Sequence, residues 1–269
     1  RLREHGLDPY HRNVGALWMD DGVGVILDQL EELGMDENTI VVFKSDHGKF
    51  GKKTVYEDGA HVPLIWRWPG HIKLQSVCYD RVQNIDFLPT ILEALGGQIP
   101  DDYMCDGKSY LPQLFGETAP LREDFYNEMG VGRSVETERW KYVALRYPQS
   151  VWSEWEKGKS FPPNHIGRFT PDTTVFYHPA YYQADQLYEI QQDTREAINL
   201  AAHPDYQDVL NEMKQRLRKY VEQLPHPFPE KPHEHQLSEA CQTAEQSALM
   251  MDKHEKGLNH ASVFGMRFW

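Results

Sequence analysis

Residues 39–48 read Thr39-Ile40-Val41-Val42-Phe43-Lys44-Ser45-Asp46-His47-Gly48. From Thr39 to Phe43 the run is nearly all β-branched or aromatic, the pattern of a strand covered on both faces. It predicts a strand of a mostly parallel sheet in an α/β fold, ending abruptly in a polar, glycine-flanked pair. Open α/β sheets gather their ligands at the carboxyl ends of strands, which is where Asp46 and His47 fall. Their side chains are expected within a few ångströms of each other. Asp46 offers carboxylate oxygens and His47 an imidazole, so both can turn toward one cation, and Gly48 lets the chain turn sharply behind them. Taken alone, the pair reads better as a turn cap beside a solvated histidine, because such pairs are common by chance.

Working outward, Val14, Leu17, Trp18, Val23, Ile26, Leu27, Leu30 and Leu33 recur at helical spacing, with Gly34 placed to stop a helix over 10–33. A glycine- and lysine-rich loop follows Gly48, and Val62 to Trp66 predicts another strand. Asn84 is the expected N-cap of a helix through Phe87, Leu88, Ile91, Leu92 and Leu95 to Gly96-Gly97. After Pro100 the texture changes to short alternating segments. These predict antiparallel strands around 125–135 and 140–145, a short strand over 187–190 and an amphipathic helix over 206–224. Between them, 148–182 is loop-rich and heavy in aromatic residues and proline. From Pro225 the chain reads as an extended arm. The expected organisation is a core over 1–115, a small antiparallel-sheet subdomain with its helix over 116–224, and a tail over 225–269.

A chain of 269 residues can bury a sizeable core. Its formal net charge of −13 argues against a nucleic-acid backbone as partner. An acidic protein acting on an anionic substrate would need a local patch of cations or a metal. No run approaches the ~18 apolar residues of a transmembrane helix. The cysteines Cys78, Cys105 and Cys241 are widely spaced and form no CxxC, so neither a disulfide framework nor a zinc site is expected. The segment from Arg1 to Asp8 carries no signal-peptide pattern, and the chain is expected to begin inside a longer protein.

The string from Ser45 to Pro63, SDHGKFGKKTVYEDGAHVP, resembles the sulfatase family when taken with the strand before it and Val62-Pro63-Leu64-Ile65 and Pro69-Gly70 after it. Asp86 to Thr90 is similar to the family's D-x-x-P-T helix start, and Asp106-Gly107-Lys108-Ser109 with Leu111-Pro112 and Gly116 to its D-G-x-S segment. Arg139-Trp140-Lys141-Tyr142 matches an R-x-K-Y strand. Leu187-Tyr188-Glu189 with Asn199-Leu200 matches the L-Y-D-L…D-P-x-E-x-x-N-L stretch. The pieces run in the family's order over roughly 14–220. The resemblance implies the C-terminal part of an alkaline-phosphatase-like α/β/α sandwich, followed by a small antiparallel sheet and a helix. It implies metal-dependent hydrolysis of a sulfate ester, with a sulfated carbohydrate as the expected substrate and small aryl sulfates as another option.

The family's nucleophile is a formylglycine made from Cys or Ser in a C/S-x-P/A-x-R motif, and its first metal-ligand pair is a paired aspartate; neither motif is present in this sequence. The chain by itself is therefore expected not to turn over. By resemblance Asp46 and His47 are the second pair of metal ligands, and Lys52, four residues before Tyr56, is the sulfate-contacting lysine. Lys53 takes that role if the loop is shifted by one. His61 either contacts substrate beside the metal or merely precedes Pro63 at a strand start. The implied metal is Ca2+, although His47, where many members carry Asn, also suits Mn2+. Trp152, Trp155, Phe161, His165 and Arg168 either line a sugar-binding wall or pack under a long loop. Asp20 and Asp21 resemble a metal pair but, being adjacent on a helix, point in different directions; His226, His233 and His235 read as a solvated tail. The alternatives are a phosphodiesterase or phosphonate monoester hydrolase of the same superfamily, and a non-catalytic binding protein that has lost its nucleophile. Most relatives are exported, which implies a periplasmic or secreted location.

Overall fold

The computed structural model describes residues 11–48, 54–147, 178–181 and 183–226, with the isolated positions 3, 4, 6, 149, 153, 228, 229, 231 and 232. The aromatic segment containing Trp152, Trp155, Phe161, His165 and Arg168 lies outside the described residues, as does the tail from 233 onward. The chain divides into two compact units, one formed by Arg1–Lys44 and Pro63–Leu121, the other by Ser45–Val62 and Arg122–Trp269. The loop Ser45–Val62, which the sequence reading kept with the first 115 residues, therefore groups with the second unit.

In the first unit the expected opening helix is α1, His11–Glu32. Gly34 ends it at φ +63°, where a residue without Cβ is favoured, and Met35 N–H returns to the Leu30 carbonyl at 2.9 Å. Its apolar residues stay largely exposed, Trp18 at 80% and Val25 at 69%. Strand β1, Val41–Lys44, pairs with β2, Leu64–Arg67, in register Val41↔Arg67 and Lys44↔Leu64. That pairing is antiparallel, which corrects the expected parallel sheet at this point, and Thr39 to Phe43 are only partly buried. The physical reason is that a continuous apolar run reports hydrophobic surroundings and not strand direction; direction here is set by a connection that returns the chain antiparallel to itself.

The next helix starts one residue earlier than expected. Gln83, not Asn84, is the N-cap, in a reciprocal capping box with Asp86. The short turn Glu57–Ala60 is α2, and a single turn at Asn84–Asp86 leads into α3, Phe87–Ala94. Asp86 is fully buried and both carboxylate oxygens are used. One accepts Gln83 N–H at 2.7 Å and the other Lys108 N–H at 2.9 Å. Thr90, one turn on, donates its hydroxyl to the Asp86 carbonyl at 2.6 Å and accepts Tyr110 N–H at 3.1 Å. The two motifs read from the sequence around Asp86 and Asp106 thus interlock, and the segment they hold leads into α4, Leu111–Leu114.

Gly107 closes that interlock. A Cβ there would lie 2.0 Å from the Ile85 carbonyl oxygen and 2.7 Å from its carbon, both backbone atoms. Gly107→Ala is expected to destabilise the protein by about 2–3 kcal/mol, from overpacking plus a lost hydrogen bond to Asp86. Urea unfolding measures it, and an unchanged midpoint would show that the two segments are not locked here.

The second unit is a meander of four antiparallel strands, β3 Phe125–Met129, β4 Gly132–Glu136, β5 Trp140–Leu145 and β6 Asp185–Glu189, in chain order. The expected final helix is α5, Gln207–Val221. Alternation along β5 sends Tyr142 and Ala144 to one face, where they meet Val135, Leu187 and the α5 residues Leu210, Met213 and Leu217. Val143 and Leu145 point the other way and pack with Tyr181, Tyr188 and the loop residues Val55 and Tyr56. The sheet is covered by a helix on one side and by the Ser45–Val62 loop on the other. Asn199 ties β6 to the chain beyond it, accepting N–H from Leu187 at 2.8 Å and from Ala201 at 2.9 Å.

Candidate functional site

The residues singled out in the sequence lie on the Ser45–Val62 loop, and its geometry starts from Gly48. Gly48 N–H donates to the Gly59 carbonyl at 2.9 Å, which draws the two ends of the loop together. A Cβ on Gly48 would lie 2.1 Å from the Asp58 carbonyl oxygen, so the approach needs glycine. Lys52 and Lys53, between these ends in sequence, lie outside the described residues.

Asp46 and His47 are brought together as expected, with His47 Nε2 3.6 Å from Asp46 Oδ2. His47 Nδ1 lies 2.7 Å from the Gly48 carbonyl, and Ser45 Oγ donates to the His47 carbonyl at 2.8 Å. A carbonyl only accepts, so this contact assigns the ring proton to Nδ1. In the neutral ring Nε2 then carries a lone pair beside the Asp46 carboxylate. Two electron-pair donors side by side, with the second ring nitrogen committed to a backbone carbonyl, is the arrangement metal-bound histidines adopt. The pair fits part of a divalent-metal shell. It is not a whole one: among the described residues no group of three or more His, Cys, Asp or Glu could hold a metal.

The far side of the loop is the short turn α2. Its helical bonds run from Ala60 N–H to the Tyr56 carbonyl at 2.8 Å and from His61 N–H to the Glu57 carbonyl at 2.8 Å. One turn apart, His61 Nδ1 and Glu57 Oε1 meet at 2.7 Å, with the His61 side chain 73% exposed. His61 is thus an oriented, solvent-facing imidazole.

Beneath the turn lies a buried polar layer whose Tyr56 and Lys141 the sequence offered only as parts of motifs, with no role attached. Tyr56 is fully buried, donates its hydroxyl to Gln186 at 2.7 Å and stacks on His178 with ring centroids 3.9 Å apart. Burial, with the nearby Lys141 ammonium adding repulsion, lowers the His178 pKa to about 3, so the stacked ring is neutral. Glu196 Oε2 accepts Glu57 N–H at 2.7 Å, and its Oε1 lies 2.5 Å from Lys141 Nζ. Lys141 is also 3.6 Å from Glu136, its cross-strand neighbour. Burial pushes the Glu196 carboxyl up while Lys141 pulls it back. The available signal was a lysine inside the otherwise apolar strand Trp140 to Leu145, a residue that needs an acid when buried.

Comparison with known proteins bears on this loop directly. A family model described as N-sulphoglucosamine sulphohydrolase, C-terminal, matches residues 45–164, beginning at the first residue of the loop. An ulvan-active sulfatase of Formosa agariphila is 30% identical over 191 residues, covering 67% of this chain and 37% of that protein. The N-acetylgalactosamine-6-sulfatase of Mus musculus is 28% identical over 223 residues, covering 77% of this chain and 42% of that protein. Among solved structures, one in complex with its substrate D-glucosamine-2-N,6-O-disulfate superposes with a TM-score of 0.57 at 26% identity, covering 77% of this chain and 39% of that one. The chain spans about two fifths of the length of these relatives, 37% and 42% of the two curated ones.

Proposed function

Since this chain belongs to the sulfatase family of the alkaline-phosphatase-like superfamily, we propose that it supplies the metal- and sulfate-binding loop of a sulfuric ester hydrolase acting on a sulfated carbohydrate. The observation that carries the proposal is the Asp46–His47 pair, 3.6 Å apart, with His47 Nδ1 held by the Gly48 carbonyl. Asp46 Oδ2 and His47 Nε2 are the atoms that would hold the metal, most simply Ca2+ given the carboxylate donor. When bound, the metal supplies Lewis-acid stabilisation of charge on the sulfuryl oxygens, and the formylglycine expected elsewhere in the enzyme supplies the nucleophile. Lys52 neutralises a sulfate oxygen, with Lys53 as the substitute one residue on. His61, oriented by Glu57, presents an imidazole toward substrate. The carbohydrate assignment follows the relatives, whose names specify ulvan, N-acetylgalactosamine 6-sulfate and glucosamine disulfate chemistry. Among the described residues no helix is long and apolar enough to cross a membrane; a periplasmic or secreted location is part of the proposal, by analogy with the family.

The test uses the full-length enzyme and a sulfated monosaccharide. Hydrolysis should be lost on chelation and restored by Ca2+. Asp46→Ala should lower kcat/KM by at least the 10- to 100-fold typical of groups that only support a metal ligand. Turnover indifferent to chelator and to Asp46→Ala would refute the metal assignment, and faster cleavage of an aryl phosphonate than of any sulfate ester would replace the reaction class.

A further inference from the structure

Glu196 breaks two local rules at once. It is a carboxylate with 0% of its surface exposed, and its backbone sits at φ +54°, a left-handed conformation that glycine adopts more cheaply. A residue held this way persists where the surrounding structure over-determines it, and such positions cluster at functional sites. Here the surroundings are specific. One oxygen meets Lys141 at 2.5 Å, and the other receives the first N–H of α2, from Glu57, at 2.7 Å. Tyr56, the N-cap of that turn, supplies no side-chain cap of its own. The cap therefore comes from a residue 139 positions away in sequence.

We propose that Glu196, held by Lys141, is a positioning residue for the hydrolysis proposed above. It sets the turn whose Glu57 carboxylate orients His61 and whose Gly59 carbonyl holds Gly48, the neighbour of Asp46 and His47. This inference rests on the sulfatase reading of the loop. Glu196 touches no reacting atom; it acts through the backbone of α2. Lys141 makes the arrangement tolerable by neutralising the carboxylate in the core, and a second carboxylate, Glu136, lies 3.6 Å from the same ammonium. Among the described residues Glu57 and His178 also face this layer, the latter stacked on Tyr56, with Asp193, Tyr147, Tyr181 and Tyr188 close by.

Two double variants of the full-length enzyme separate positioning from core charge. Lys141→Met with Glu196→Gln removes both charges and keeps an oxygen to accept Glu57 N–H. Lys141→Met with Glu196→Leu removes both charges and the acceptor. Melting curves establish that both fold. Because a displacement of about 1 Å at a site costs on the order of 100-fold in rate, the Leu double should lose about 10- to 100-fold in kcat with little change in KM. The Gln double should stay within about threefold of wild type, since its acceptor survives. Hydrogen exchange at the Glu57 amide, read on the same preparations, should be faster in the Leu double than in the Gln double. Equal kcat in the two doubles beside an active wild type would overturn the positioning role, and equal exchange at Glu57 would overturn the cap itself. A wild-type enzyme that cleaves no sulfate ester would instead overturn the sulfatase reading, an outcome visible before either double is assayed.

Discussion

Lys141→Met alone is expected to cost about 3–5 kcal/mol of folding stability, because it leaves the Glu196 carboxylate buried without its cation. Side-chain exposures of 1% for Lys141 and 0% for Glu196 leave no water to take over the role. Adding Glu196→Leu should recover most of the loss, since a buried pair replaced by apolar side chains of similar volume is often neutral. The deficit also has a definite pH dependence. Burial already raises the Glu196 carboxyl above its ordinary value, and removing Lys141 removes the main influence pulling it back. A group whose folded value lies above its unfolded one contributes stability that is present below the unfolded value and lost as pH rises through the folded value. The Lys141→Met deficit should therefore be small near about pH 5 and larger near about pH 8. Urea unfolding at both pH values measures it. A loss independent of pH, or one not relieved by Glu196→Leu, would mean that packing around the lysine stem and not the ion pair holds this layer.

The second large effect is on turnover. In the full-length enzyme Lys52→Ala is expected to remove about 2–4 kcal/mol of transition-state stabilisation, the scale of losing one preorganised donor. At 1.36 kcal/mol per decade that is about 30- to 1000-fold in kcat/KM. An ammonium in a partly desolvated site interacts more strongly with a sulfate oxygen than one in bulk water, because the local dielectric is lower. Lys53→Ala should do little if Lys53 is a solvated neighbour. Kinetics of wild type and both variants on one sulfate ester decide the matter. A large loss only at Lys53 would shift the role by one residue, equal losses would mean that both lysines share it, and no loss at either would remove the sulfate-binding role and leave the Asp46–His47 pair standing alone.

What could be read from the sequence follows from which signals are local. The helices α1, α3 and α5 and the alternating strands β3 to β5 are periodic over several residues, and they formed close to where the periodicity placed them. Asp46 and His47 are adjacent in sequence after a strand, so their proximity needed no tertiary information. The antiparallel β1–β2 pair was not legible, because an apolar run carries no direction. Gln83 displaced Asn84 as the cap because only Gln83 stands three residues before Asp86, the spacing that a reciprocal capping box requires. Glu196 was hidden for a different reason. Its meaning lies in Lys141 and in the Glu57 amide, and neither partner is within a helical turn or a hairpin of it. The residues around Asp86, Gly107 and Asn199, which in the sequence only carry the family resemblance, are fasteners between segments.

The anchoring of the Ser45–Val62 loop on β6 and Glu196 also orders events in time. Tyr56 meets Gln186 across 130 positions and Glu57 meets Glu196 across 139. Contacts of such separation close late, because the chain entropy of a long loop is lost before the contact rewards it. On a ribosome the loop emerges before β5, β6 and the residue at 196, which are the segments it docks on. Strands β3, β4 and β5, paired with near neighbours in sequence, can assemble first, and β6 and α5 join them over longer connections to finish the face. The candidate site is in this sense the last piece of its unit to set.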